Sequence, residues 1–152
     1  MTREDKKLLL KDLCARLTYG VICQTNRGIG TLISIECSSG EILAYVDFGY
    51  PQAGEFDLNE NDEVKPYLRP ISSMTEEEKE TYYNLCYEEE REEYKFGEWA
   101  ARIHYHDTID SIDYLNSIHV DYRELIPKGL AIEVTKDNNP YNIKIKDYDT
   151  RR

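Results

Sequence analysis

Three histidines and two aspartates form the one cluster in the sequence whose residue types could hold a metal ion. His104 and His106 lie two residues apart, Asp107 and Asp110 follow, and His119 comes later in the chain. Two imidazoles on one strand face beside a carboxylate resemble an open catalytic metal site. The pattern is a weak signal, because His119 would have to fold back from a helix to complete it. We therefore expect solvated or hydrogen-bonded histidines, and neither a metal nor a cofactor.

Nucleophilic catalysis requires a thiol or hydroxyl beside an oriented base, and no segment shows that arrangement. The serines at 38–39 precede Gly40 and indicate a turn, and those at 72–73 precede a helix start. Gly28 and Gly30 match neither a dinucleotide-binding fingerprint nor a phosphate-binding loop. The sequence therefore predicts a protein without enzymatic activity.

The cysteines are interpreted as reduced core thiols. They show no Cys-x-x-Cys spacing and lie on segments that read as apolar faces: Cys14, Cys23, Cys37 and Cys86. That arrangement disfavours disulfides and zinc and indicates a reducing, cytoplasmic compartment. The sequence also contains no signal-peptide pattern and no apolar run of membrane-spanning length, so we expect no membrane partner.

Tyrosine is unusually frequent, with 13 residues against 3 phenylalanines. Two places combine tyrosine with cations in an otherwise acidic chain: Lys65, Tyr67 and Arg69, and Tyr122, Arg123 and Lys128. A guanidinium fork binds phosphate oxygens, and an aromatic ring stacks on a base. These six residues predict a site for a small anionic nucleotide. The alternative is that the cations pair with acids inside the molecule.

The net charge of −11 is concentrated in two blocks. Residues 55–63 carry five acids and no base, and residues 76–93 carry nine glutamates against two bases, so the blocks hold −5 and −7 and the rest is +1. An extended nucleic-acid partner is disfavoured, since such partners need clustered cations. A small anionic ligand remains compatible with the charge distribution, because the residues outside the two blocks are nearly neutral. The blocks either dock on a basic protein or serve solubility.

The sequence predicts an α+β fold with a small antiparallel sheet near residues 20–70. The pattern is compatible with an open sheet and with a barrel-like one. Thr2 and Asp5 form a loose capping box before a leucine stripe, which predicts a helix over 3–16. Period-two alternation and turn residues predict a three-stranded meander over 20–50. Residues 63–70 are expected to return as an edge strand, because their two prolines cannot donate to a central ladder.

Thr75 with Glu78 is the sharpest local signal and predicts a Glu-rich helix over 76–95. A short strand or a turn over 99–105 is expected next. A third helix over 110–122, capped by Asp107 or Ser111, and a last strand around Ile132 should follow. The three helices cover the sheet in one domain over 1–135, and residues 136–152 form a polar tail.

Three stretches resemble an uncharacterised family of short proteins encoded by phages and mobile elements of gut bacteria: DLCARLTYGV at 12–21, KPYLRPISSMT at 65–75, and YLNSIHVDYRELIPKGLA at 114–131. The resemblance covers a quarter to a third of the chain and carries over no catalytic residue. It implies a protein that obstructs a host system. Two functions fit: a homo-oligomeric sponge for a nucleotide immune signal, or an acidic inhibitor of a host nucleic-acid enzyme. A signal-processing enzyme built on the three histidines is the third reading.

Overall fold

A computed structural model describes residues 1–49, 51–60 and 63–142. The helices are α1 (Arg3–Arg16), α2 (Glu76–Leu85) and α3 (Ile109–Ser117), with single 3-10 turns at Leu17–Tyr19 and Ile71–Ser73. The strands are β1 (Ile22–Thr25), β2 (Gly28–Ser38), β3 (Glu41–Asp47), β4 (Gly54–Asp57), β5 (Val64–Leu68), β6 (Tyr87–Lys95), β7 (Glu98–His106) and β8 (Ile132–Glu133).

Six strands form an open sheet in the order β4-β3-β2-β1-β5-β8, and β6 pairs with β7 in a separate two-stranded sheet. The pairings are antiparallel except for β5 with β8, which is parallel. The predicted α+β class is confirmed, and the sheet does not close into a barrel. The meander over 20–50 and the first helix are confirmed as β1–β3 and α1.

The main core lies between α1 and the six-stranded sheet. Leu9 and Leu13 of α1 are buried against strand residues that include Val21, Leu32 and Phe56. A smaller apolar cluster joins α2 and α3 through Met74, Leu115 and Val120. Among the described residues, no helix combines the length and apolar composition needed to cross a membrane.

The prediction of an edge strand over 63–70 is wrong. β5 lies between β1 and β8, with Pro66 opposite Cys23 on one side. On the other side β8 pairs only with Tyr67 and Leu68, so the ladder there begins after Pro66 and the missing proline N–H costs nothing. The edge positions belong instead to β8 and to β4, which overlaps the start of the first acidic block and pairs with β3.

The Glu-rich helix ends ten residues earlier than predicted, at Leu85 rather than 95. Its capping box is as expected, because the Thr75 side chain accepts from Glu78 N and the Glu78 side chain accepts from Thr75 N. Beyond Cys86 the chain is extended. Glutamates three and four residues apart would repel each other along a helix, whereas Phe96 and Gly97, with φ of 53° and 88°, supply a hairpin turn for a strand.

The third helix also differs from its prediction. Its N-cap is Thr108, and Ser111 is the reciprocal partner of that cap rather than the cap itself. The helix ends at Ser117 because His119 has a φ of 61°, which leaves the helical region well before residue 122. The predicted strand over 99–105 is confirmed as β7, and the last strand is confirmed as β8. Residues 143–152 of the predicted tail lie outside the described residues.

Candidate functional site

Arg69, at the end of β5, is fully buried and is held entirely by groups of its own chain. Its Nη1 and Nη2 each donate to one carboxylate oxygen of Glu78 at 2.8 Å. Its remaining donors reach Ser73 Oγ at 3.1 Å, Ser73 O at 3.0 Å and Ile118 O at 3.3 Å. Burial alone would raise the pKa of the Glu78 carboxyl, but the hydrogen bonds from Arg69 and Thr75 outweigh it and lower the pKa.

Asp12 of α1 joins the second basic–aromatic place to the core. It is fully buried and accepts from Arg16 Nε at 2.9 Å and Arg123 Nη1 at 3.0 Å. The Tyr122 ring lies 4.5 Å from the Arg123 guanidinium, and its hydroxyl donates to Asn116 Oδ1 at 2.8 Å. We call the buried polar groups around the chain segment 118–121 the buried polar cluster: Asp12, Arg16, Arg69, Ser73, Asn116, His119 and Asp121.

The other residues predicted to bind a nucleotide lie in different surroundings and do not line a common pocket among those described. The Tyr67 hydroxyl is buried and donates to Gln24 Oε1 at 2.9 Å. Lys65 pairs with Glu63 at 2.9 Å and lines a mainly apolar cavity of about 50 Å³, far below the roughly 300 Å³ of a small-ligand pocket. Lys128 is exposed in the loop before β8. Pairing inside the molecule therefore accounts for Lys65, Arg69 and Arg123, and nucleotide binding by the six residues stays a prediction.

The structure separates the three histidines. His104 contacts Glu93 at 2.5 Å and His106 contacts Glu89 at 2.8 Å, both across the two-stranded sheet. His119 is buried and stacks on Tyr141, with ring centroids 4.0 Å apart. Burial, aided by Arg16 and Arg69, lowers the pKa of His119 to about 4. Within the described part of the chain, no three metal-ligating side chains come together.

The strands β6 and β7, nine residues each, form a hairpin that belongs to no larger sheet. Helix contacts hold its root: the Tyr82 hydroxyl donates to Asp107, and the Thr108 hydroxyl donates to Leu85 O at 2.7 Å. The Tyr83 ring of α2 lies 4.6 Å from that of Tyr105. Beyond this root both strands are largely exposed, although an isolated two-stranded hairpin is marginally stable in water.

Side chains alternate between the two faces of the hairpin, and the faces differ in kind. One, which we call the paired face, carries Tyr87, Glu89, Arg91, Glu93, Lys95, Glu98, Ala100, Arg102, His104 and His106. The other, which we call the aromatic face, carries Glu88, Glu90, Glu92, Tyr94, Trp99, Ala101, Ile103 and Tyr105.

The paired face satisfies its own charges. Glu89 contacts Arg91 and His106, each at 2.8 Å, and Glu93 contacts Arg102 at 3.4 Å as well as His104. The hydrogen bond from Arg91 is the main reason that the pKa of Glu89 is lowered. Three glutamates face three Lys or Arg side chains, so this face is formally neutral. A hollow of about 380 Å³ lies on it near the tip.

On the aromatic face the glutamates lack ion-pair partners among the described residues, and beyond the contact of Tyr105 with Tyr83 the apolar side chains are exposed to solvent. Trp99 is 69% exposed and Ile103 is 59% exposed, and the Trp99 ring lies 5.1 Å from that of Tyr94. Along β6 run three glutamates, Glu88, Glu90 and Glu92, that make no ion pair with any described residue. Successive members of that row are about 7 Å apart, because two strand residues span that length. An exposed apolar stripe beside an unpaired acidic row makes this face a candidate interaction surface.

The candidate site is therefore the aromatic face. It was not recognised from the sequence, because residues 76–95 were predicted to form one helix. In a helix Glu90 would lie on the opposite side from Glu88 and Glu92, whereas a strand places all three on one face. The signal was present in the sequence. Trp99, Ala101, Ile103 and Tyr105 alternate with Ala100, Arg102 and His104 after the Phe96-Gly97 turn.

No family model matches this chain, and neither does any curated protein or solved structure. The resemblance to short proteins of phages and mobile elements therefore stays a prediction.

Proposed function

We propose that the protein is a binding module whose aromatic face docks on a basic, partly apolar surface of another protein. The single observation that carries the proposal is the contrast between the two faces of one hairpin. The paired face neutralises its glutamates with its own cations, and the aromatic face does not. Both faces are largely exposed to solvent, so solubility alone does not explain why only one has its acids balanced.

The partner that fits is a protein that binds nucleic acid. A row of carboxylates at regular spacing attracts the Lys and Arg side chains that such proteins arrange for phosphates. The apolar stripe of Trp99 and Ile103 lies directly beside that row. It supplies apolar surface that can be buried in the interface, which the carboxylates do not provide. Exposed aromatic residues of this kind dominate binding energy at interfaces. The module would thereby compete with nucleic acid for the basic surface, as the inhibitor hypothesis expects.

Affinity capture with matched variants tests the proposal. Immobilised wild-type protein is incubated with bacterial lysate beside a Glu88/Glu90/Glu92→Gln variant, which removes the acidic row at constant side-chain size. The control variant makes the same charge change at three exposed glutamates elsewhere: Glu41, Glu60 and Glu80. A nucleic-acid-binding protein should be retained by the wild type and by the control, and lost from the row variant.

Two competitors define the chemistry of the captured contact. Added duplex DNA should release the partner if both occupy the same basic surface. Rising salt should weaken retention, because contacts between exposed charges are screened. The proposal would be contradicted if all three proteins retained equal amounts of partner, or if neither DNA nor salt reduced the amount retained.

A further inference from the structure

The two outer edges of the hairpin are unequally protected against strand addition. Seven of the nine residues of β6 are charged, against two of nine in β7, Glu98 and Arg102. Charged side chains are a common means of keeping exposed strand edges from pairing with another chain. The β6 edge has that protection and the β7 edge does not.

The hairpin register shows which backbone groups are free on the β7 edge. A two-residue turn makes Lys95 and Glu98 a hydrogen-bonded pair, and hydrogen-bonded and open pairs then alternate along the ladder. The N–H and C=O groups of the open-pair residues of β7 therefore point outward: Trp99, Ala101, Ile103 and Tyr105. Within the described residues, none of these groups bonds to backbone elsewhere.

We propose that the β7 edge pairs antiparallel with β7 of a second copy of this chain, around a two-fold axis through Arg102. That register pairs all nine residues of the strand and is the same from either copy, as a symmetric dimer requires. Every outward N–H and C=O of β7 then has a partner. The result is a four-stranded sheet with the charged β6 strands on its outside.

Side-chain pairing supports a second copy as the occupant. Trp99 lies opposite the partner's Tyr105, and Ala101 lies opposite the partner's Ile103, which are favourable cross-strand pairs. Glu98 lies opposite the partner's His106. The opposed pair at the axis, Arg102 with itself, is repulsive, but each guanidinium already contacts Glu93 of its own hairpin at 3.4 Å.

The dimer would enlarge the docking surface. Two apolar stripes adjoin at the centre of the new sheet, and a row of glutamates borders them on each side. The inference goes beyond the proposed function, because pairing uses the backbone edge and partner binding uses the side chains of one face. A monomer that still binds a basic protein would contradict the dimer alone.

Sedimentation velocity over a concentration series tests the dimer. The wild type should sediment at twice the monomer mass. Ala101→Pro removes one outward N–H of β7 and should raise the dissociation constant at least tenfold. Glu92→Pro, directly opposite Ala101 in the hairpin, removes an outward N–H of the β6 edge and should leave the dimer intact. A wild type that stays monomeric, or a dimer indifferent to Ala101→Pro, overturns the proposal.

A cross-linking variant tests the register without relying on proline. In a background with Cys14 and Cys37 replaced by serine, Arg102→Cys places two thiols opposite each other across the two-fold axis. Mild oxidation should give a disulfide-linked dimer. Ala100→Cys, on the same face but four residues from its symmetry mate, should not cross-link. Equal cross-linking of both variants, or of neither, contradicts the register.

Discussion

The buried polar cluster and the aromatic face use similar residues in opposite ways. In the cluster, Arg69 and Arg16 donate to the carboxylates of Glu78 and Asp12. On the aromatic face, Trp99 is exposed and a row of glutamates has no cation among the described residues. The paired and buried charges stabilise the fold. The exposed charges beside apolar surface are the ones we propose to bind another protein. The predictions below test that division, from the largest effect to the smallest.

The largest effect on stability is expected at Arg69. Arg69→Met keeps an apolar stem but removes the guanidinium and leaves the carboxylate of Glu78 without its partner, so the free energy of unfolding should fall by about 3–5 kcal/mol. Urea denaturation followed by circular dichroism measures it. The double variant with Glu78→Gln should recover part of the loss, since it removes the orphaned charge. A single variant within about 0.5 kcal/mol of the wild type would mean that the pair is not structural.

A second prediction concerns acid stability. Folded His119 has a pKa of about 4, whereas an unfolded histidine titrates near 6.5. The unfolded state therefore binds the proton first, and stability is lost as pH falls from about 6.5 to about 4, by up to about 3 kcal/mol. His119→Asn removes this titration and suits the positive φ. Its unfolding free energy should vary less with pH across that window. An unchanged slope would contradict a buried neutral histidine.

The third prediction compares a buried hydroxyl with an exposed one. The Tyr141 hydroxyl accepts from Ile22 N at 2.8 Å and donates to Tyr67 O at 2.9 Å, so it bridges β1 and β5 where their ladder ends. Tyr141→Phe should cost about 1–3 kcal/mol, because both backbone groups lose a partner. Tyr94→Phe on the aromatic face should be nearly neutral. Equal losses in thermal or urea unfolding would remove the distinction between the regions.

Much of the body was predictable from the sequence, because local signals agree there with the tertiary fold. The capping pairs Thr2–Asp5 and Thr75–Glu78 begin the first two helices as expected. The position of β5 was not predictable in this way. Its place beside β8 depends on a parallel pairing between segments far apart in the chain, and no local pattern encodes such a contact.

The candidate site was less predictable than the fold. Arg69 and Arg123 were predicted to bind a ligand because they lie near tyrosines in the sequence. In the structure each forms an ion pair with an acid of the same chain instead. The run from Glu88 to Glu93 reads as a solvated helix face until its partner strand is known. Only the pairing of Glu90 with Ile103, and of its neighbours in turn, shows that acids and apolar residues share one face.

A small effect on stability is also expected from Trp99→Ala. The side chain is largely exposed and its main aromatic contact is with Tyr94, so the free energy of unfolding should change by less than about 1 kcal/mol. Partner capture should nevertheless fall sharply. A large stability loss without a loss of capture would reverse the roles given to the two regions.

The most direct measurement uses Trp99, which is the only tryptophan of the chain. Its fluorescence reports on the aromatic face alone. Titration with the purified captured partner should shift its emission to the blue, because the exposed ring becomes buried, and the Glu88/Glu90/Glu92→Gln variant should need far more partner for the same shift. Binding without any change in Trp99 emission would contradict the aromatic face as the interface.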